Sequence, residues 1–161
     1  MPTPRFPRIL SVLCYAVRDG RVLMMHRRKQ PNLDLWTAPG GKLEWDEAPH
    51  ETCVREMHEE TGLTVVDPTL RAVITEVSPS EDYQWMMFVY VAHQFDGEVG
   101  ETHEGDLAWV PIVALPDLPT PQADRIFGPL VLDGDDRVHQ MKFIYDEEIR
   151  LAGWEEAGGS R

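Results

Sequence analysis

The sequence predicts an α/β fold, a curved mixed sheet between helices in an α/β/α sandwich, and three observations carry that prediction. Strand-like runs lie on both sides of a well-marked helix, so strands and helices alternate along the chain. The run WMMFVYVA, Trp85 to Ala92, is apolar throughout, which requires a central strand covered on both faces. Residues Pro49 to Thr61 carry helix punctuation, with Pro49 suited to the first turn and Gly62 to the stop. A length of 161 residues suits a single domain over 1–161, with a short flexible N-terminus over about 1–8 and a mobile tail from about 157.

The elements follow in order. Ile9 to Val17 reads as a buried strand, Arg18-Asp19-Gly20-Arg21 as a hairpin turn, and Val22 to Arg28 as the returning strand. Pro31 to Leu35 is a loop. Trp36 and Thr37 lead into Ala38-Pro39-Gly40-Gly41-Lys42, and Leu43 begins a short strand. Asp46 or Ala48 caps the helix, whose Val54, Met57 and Thr61 face a core. Arg55 stands four residues from both Glu51 and Glu59 and pairs with one of them. Leu70 to Val77 alternates as a strand, Ser78 to Asp82 turns, and Tyr83 to Phe95 is the longest strand. An acidic loop, Thr102 to Asp106, precedes a short strand at Leu107 to Val110. A Pro-rich connection, Leu115 to Pro121, leads to a short helix from Asp124 to Leu132 that Gly128-Pro129 breaks. After a turn at Asp133 to Asp136, Val138 to Tyr145 is the last strand, with His139, Met141, Phe143 and Tyr145 on one face.

Composition narrows the function. A net charge of -13 argues against a nucleic-acid polymer as partner, because phosphate backbones recruit Lys and Arg. No apolar run is long enough to span a membrane, and no secretory leader opens the chain. Cys14 and Cys53 lack metal spacing and read as reduced core thiols, which points to a cytoplasmic protein.

The chemistry concentrates on the helix. Glu56, Glu59 and Glu60 share one face at i, i+3 and i+4, where like charges repel by a few tenths of a kcal/mol per pair, about 0.2–0.5. A divalent cation would convert that repulsion into coordination, and hard oxygen ligands suit Mg²⁺ or Mn²⁺, whose usual companion is a phosphate chain. Ahead of the helix, Pro39-Gly40-Gly41 permits close backbone approach, making Gly41 and Lys42 candidate substrate contacts. His26, Arg27, Arg28 and Lys29 form a local basic cluster from which Arg27 and Arg28 can reach substrate phosphates.

From Gly41 the chain runs five residues to Glu47, seven more to Arg55-Glu56-Met57, then Glu59-Glu60 and Gly62-Leu63. This resembles the Nudix box at every defined position. The resemblance implies the α/β/α fold above and hydrolysis of a nucleoside diphosphate linked to another moiety. It implies Glu56 and Glu60 as principal metal ligands, Glu59 as an additional ligand or water-orienting residue, and the Gly40 carbonyl as a backbone ligand. Arg55 then orients the glutamates by salt bridge, Glu47 is its structural or second-metal partner, and Gly62 closes the box. In many relatives a glutamate on the loop before a late strand is the general base or an extra ligand, a setting that Glu104 matches.

Features around the box resemble the MutT-type branch, which acts on oxidised purine nucleoside triphosphates: LMMHRRKQPNLDLWTAPGGKLE, FVYVAHQFDGE, EGDLAWVPIVAL and ADRIFGPLVL. The vertebrate member of that branch selects purines with an Asn where this chain has Thr37, and with two adjacent acids of which Asp124 matches the second and Ala123 replaces the first. Trp36, Trp85 and Phe127 are candidate walls of a base-stacking pocket. The expected activity is cleavage of a nucleoside triphosphate, 8-oxo-dGTP-like, to monophosphate and pyrophosphate by a monomer or homodimer. The alternatives are hydrolysis of a nucleoside diphosphate, ADP-ribose or a diadenosine polyphosphate, and a nucleotide-binding module without turnover.

Overall fold

The computed structural model describes residues 7–160. The chain starts with a hairpin, β1 (Ile9–Arg18) and β2 (Arg21–Arg27). Asp19 and Gly20 both have positive φ, 53° and 72°, as the two-residue turn requires. Two short strands follow, β3 (Trp36–Thr37) and β4 (Gly40–Lys42), and then helix α1 (Pro49–Thr61). Next come β5 (Thr64–Val66), β6 (Thr69–Val77), β7 (Trp85–Ala92), β8 (Gln94–Asp96) and β9 (Gly105–Pro111). A 3₁₀ turn at Ile112–Asp117 leads to α2 (Gln122–Val131), and β10 (His139–Tyr145), β11 (Leu151–Glu156) and β12 (Gly159–Ser160) end the described chain.

Ten strands form a mixed sheet in the order β12-β11-β10-β6-β7-β1-β2-β3, with β4 also on β1 and β9 also on β2. The β1–β7 and β6–β10 pairs are parallel, while β6–β7 and β1–β2 are antiparallel. β7 is central, between β6 and β1, and its second half, Val89 to Ala92, is buried, while Trp85 to Phe88 stay partly exposed. Alternation along β1 shows what covers each face. Tyr15 packs with Phe127 and Val131 of α2, whereas Val12, Cys14 and Ala16 pack with Cys53 and Met57 of α1. The sheet is thus sandwiched between the two helices.

Several boundaries differ from the expectation. The short strand after the loop is Gly40–Lys42, not one beginning at Leu43, because β4 pairs with Ser11, Val12 and Leu13. The long strand stops at Ala92; exposed His93 interrupts it, and Gln94–Asp96 leaves to pair with β5. Gly128-Pro129 does not break α2. Pro129 lies near its end, Ala123, Phe127 and Val131 stay buried, and Leu132 N–H closes the turn onto Gly128 O at 3.2 Å. β10 is not the last strand. Phe143 stacks on Trp154 of β11, and Ala157 N–H bonds Gln140 O at 2.9 Å, so the segment at 157–160 is tied to the sheet and not loose. The expected flexible start falls largely on residues 1–6, which lie outside the described residues, as does 161. Among the described residues no helix is long and apolar enough to cross a membrane.

Candidate active site

Helix α1 starts at Ala48, whose N–H bonds the Glu51 carboxylate at 3.0 Å, and it ends at Gly62 with φ 82°. Glu51 is therefore used in capping, and Arg55 turns elsewhere. Its guanidinium grips Glu47 by two bonds, Nε to Oε2 at 2.7 Å and Nη2 to Oε1 at 2.8 Å. It also reaches Glu56 Oε1 at 2.7 Å, Glu59 Oε2 at 3.2 Å and the Lys42 carbonyl at 3.2 Å. Arg55 fastens the helix to the loop ahead of it. The Arg55 guanidinium, more than any other neighbour, pulls the Glu47 carboxyl down to about 2.

Glu56 and Glu60 turn toward β4. Gly41 is required there, since a Cβ on it would lie 2.3–2.6 Å from the Glu56 carboxylate. The Gly40 N–H donates to Glu60 Oε2 at 3.3 Å. Burial raises the Glu56 carboxyl against the opposing pull of Arg55. Burial, and next the charge of Glu104, push Glu60 up to about 8. Glu104 arrives from the loop before β9. A Cβ on the next residue, Gly105, would lie 2.2 Å from the His26 carbonyl, so β9 meets β2 closely at that point. Arg28 N–H donates to the Glu104 carbonyl at 2.9 Å, and Arg27 Nη1 reaches its carboxylate at 3.4 Å.

Arg27, Gly40, Gly41, Glu56, Glu60 and Glu104 line one cleft of about 680 Å³. Its walls also include Thr37, Lys42, Trp85 and Asp124, with Glu76, Tyr83 and Tyr145 beside them.

A family model described as the NUDIX domain matches residues 7–131. The chain belongs to the Nudix family. It is 32% identical over 145 residues to a Nudix hydrolase of Bacillus subtilis, YvcI, covering 88% of this chain and 89% of that one. It is 29% identical over 129 residues to the oxidized purine nucleoside triphosphate hydrolase of Danio rerio, covering 79% and 81%. The fold superposes on the mutator MutT protein of Bacillus halodurans with a TM-score of 0.82 at 30% identity, covering 94% and 99%. As a Nudix hydrolase the protein acts on phosphoric anhydride bonds, and hydrolases of this family use divalent metal ions.

The site suits such an ion. Among the described residues no group of three or more acidic, imidazole or thiol side chains is drawn together closely enough to hold an ion as it stands. Instead Glu56, Glu60 and Glu104 are mutually repelling carboxylates around an open space, and burial and like charge favour uptake of a cation. All the donors are hard oxygens.

Four site residues expected from sequence lie elsewhere. Phe127 is 0% exposed, edge-on to Phe143 in the core, and offers no face to a base. Trp36 stacks on His26 with ring centroids 4.9 Å apart and is not part of the cleft wall. Arg28 turns out to pair with Asp106. Glu59 is 58% exposed in its side chain and held by Arg55, outside the cleft lining. Sequence reading missed Glu76, Tyr83 and Tyr145. A signal existed for Glu76, which continues the inward register of Ala72 and Ile74 in β6.

The two glycines separate fold from site. A Cβ on Gly40 would fall 1.9 Å from the Val12 carbonyl, a backbone atom that cannot move aside. Gly40→Ala should lower thermal stability markedly. Gly41→Ala meets only the end of the Glu56 side chain, which can swing away, so it should fold with little change, within about 1 kcal/mol, yet lose most of its turnover. Melting curves and hydrolysis rates of the two variants check this; an inactive but equally destabilised Gly41→Ala contradicts it.

Proposed function

We propose that this Nudix hydrolase is a single-domain enzyme cleaving a purine nucleoside triphosphate, with an oxidised, 8-oxo-dGTP-like purine as the preferred base, to monophosphate and pyrophosphate. The observation carrying this reading is the continuity of one cleft. It runs from Glu56, Glu60 and Glu104 past Arg27 and Lys42 to Trp85 and Asp124, so acids, cations and an indole face line the same space. The likeness to the oxidized purine nucleoside triphosphate hydrolase of Danio rerio supports it.

Glu56 and Glu60, with the Gly40 carbonyl, would hold Mg²⁺ or Mn²⁺. Such an ion, when bound, would neutralise charge developing on the phosphoryl oxygens. Arg55 keeps Glu56 aimed at the cleft, and Glu59 supports Arg55 from the exposed side. Arg27, released from Glu104, moves onto the phosphate chain together with Lys42. Glu104 is then free to take a proton from the attacking water as general base. Trp85 offers its ring to the base, and Thr37 and Asp124 meet the base edge.

The test is a panel of 8-oxo-dGTP, ordinary deoxynucleoside triphosphates, nucleoside diphosphates, ADP-ribose and a diadenosine polyphosphate, followed by pyrophosphate and phosphate release. Pyrophosphate from purine triphosphates is the expected result. A chelator should abolish the reaction, and added Mg²⁺ or Mn²⁺ should restore it. Preference for ADP-ribose or a diadenosine polyphosphate would replace the substrate assignment, and binding without turnover would indicate a non-catalytic module.

A further inference from the structure

The cleft contains a second set of acids that hydrolysis does not use. Glu76 of β6 is 5% exposed and lines the cleft. Burial raises its proton affinity, and the only influences opposing this are hydrogen bonds from Tyr83 and Tyr145; no positive charge contributes. The Tyr145 hydroxyl donates to Glu76 Oε1 at 3.3 Å. Asp124 of α2 lines the same space and is pushed up by burial and then by the charge of Glu76. Glu76 is directly opposite Trp85 on β7, so the two side chains leave the sheet on one face. Its other cross-strand neighbour, Phe143, packs against α2 on that face.

This end of the cleft repels a phosphate. Two carboxyls and two phenols present acceptors beside the flat indole of Trp85, and Lys42 Nζ lies 6.0 Å from the centroid of that ring. A buried carboxylate in that setting needs hydrogen-bond donors, and a flat heterocycle with adjacent N–H groups supplies them while stacking on Trp85. Resting on the reading of the cleft as a nucleotide site, we infer that Glu76, held by Tyr83 and Tyr145 and faced by Asp124, is the specificity-determining residue of the base end. The ligand edge it takes is the adjacent N1–H and 2-amino donors of a 2-amino-6-oxopurine, the guanine type. Adenine places an acceptor where Glu76 needs a donor, and hypoxanthine lacks the 2-amino group.

The experiment is calorimetric titration of the full chain with GMP, IMP and AMP, beside hydrolysis of the corresponding triphosphates. The wild type should bind GMP at least about tenfold more tightly than AMP, with IMP between them. In Glu76→Gln the GMP-to-AMP ratio should fall to within about threefold, and the loss of kcat/KM for the guanine triphosphate should lie mainly in KM. Tyr145→Phe, which keeps the packed ring, should narrow the same ratio by a smaller factor and decides the matter where Glu76→Gln does not fold. A wild type without base preference, or variants that fold and keep the wild-type ratio, overturns the assignment while leaving nucleotide hydrolysis intact. Failure of every nucleotide to bind or turn over overturns the proposed function as well.

Discussion

Glu60→Gln should lower turnover by about 10²–10³-fold at saturating Mg²⁺ and, in chelator, raise the stability of the protein. The two effects have one cause. Glu60 is half-buried beside Glu104 and Glu56, and its one favourable backbone contact is the Gly40 N–H. Glutamine keeps an oxygen for that N–H and discards the charge. Removing a poorly compensated half-buried charge should gain about 1–3 kcal/mol, whereas a metal ligand and its negative charge are lost. The pH dependence has a definite sign. The folded-state pKa is raised from 4.5 to about 8, so folding takes up a proton in that window. The metal-free wild type should lose stability as pH rises from about 4.5 to about 8, and Glu60→Gln should show a flatter profile. Thermal melts in chelator across that range, beside hydrolysis assays with Mg²⁺, check both. A less stable metal-free variant, or one with full activity, would count against Glu60 as a strained ligand.

Much of this site is local in sequence, and that part was readable. Glu56, Glu60 and Gly62 are placed by helical periodicity and helix-stop chemistry, which act over a few residues. Gly40 and Gly41 announced a close approach without showing what approaches; contact with the Val12 carbonyl and the Glu56 carboxylate comes from β4 docking on β1. Helical spacing offered Arg55 both Glu51 and Glu59 without choosing between them: Glu59 pairs with it at 3.2 Å, Glu51 caps Ala48, and Glu47, the partner the resemblance implied, returns from the preceding loop to take the fork. The aromatic residues show the limit most clearly. Trp85 and Phe127 are equally plausible stacking rings by type, and only the layer order decides that β7 opens Trp85 to the cleft while α2 buries Phe127 against β10. Glu76 and Tyr145 meet across neighbouring strands 69 residues apart, a pairing that no local pattern encodes.

Arg55→Ala should lower turnover by about 10–100-fold and, unlike Glu60→Gln, lower stability too, by about 2–4 °C in melting temperature. Arg55 does not line the cleft; it acts through what it holds. Without it Glu47 loses two charge-assisted bonds, Glu56 loses its one opposing charge, and the Lys42 carbonyl loses a tie to the helix. Arg55→Lys should recover little, because an ammonium cannot span Glu47 and Glu56 as the planar fork does. The acid limb gives an independent readout. Glu47 is held near 2 in the folded protein against 4.5 otherwise, so its contribution is complete above about pH 4.5 and is lost as pH falls toward 2. In Arg55→Ala that limb should flatten, while the limb between 4.5 and 8 set by Glu60 persists. A positioning residue and a ligand thus part company on stability while agreeing on activity: one variant loosens the metal-free protein and the other tightens it. If both moved stability in the same direction, the division between the acids that hold the ion and the cation that holds the acids would have to be redrawn.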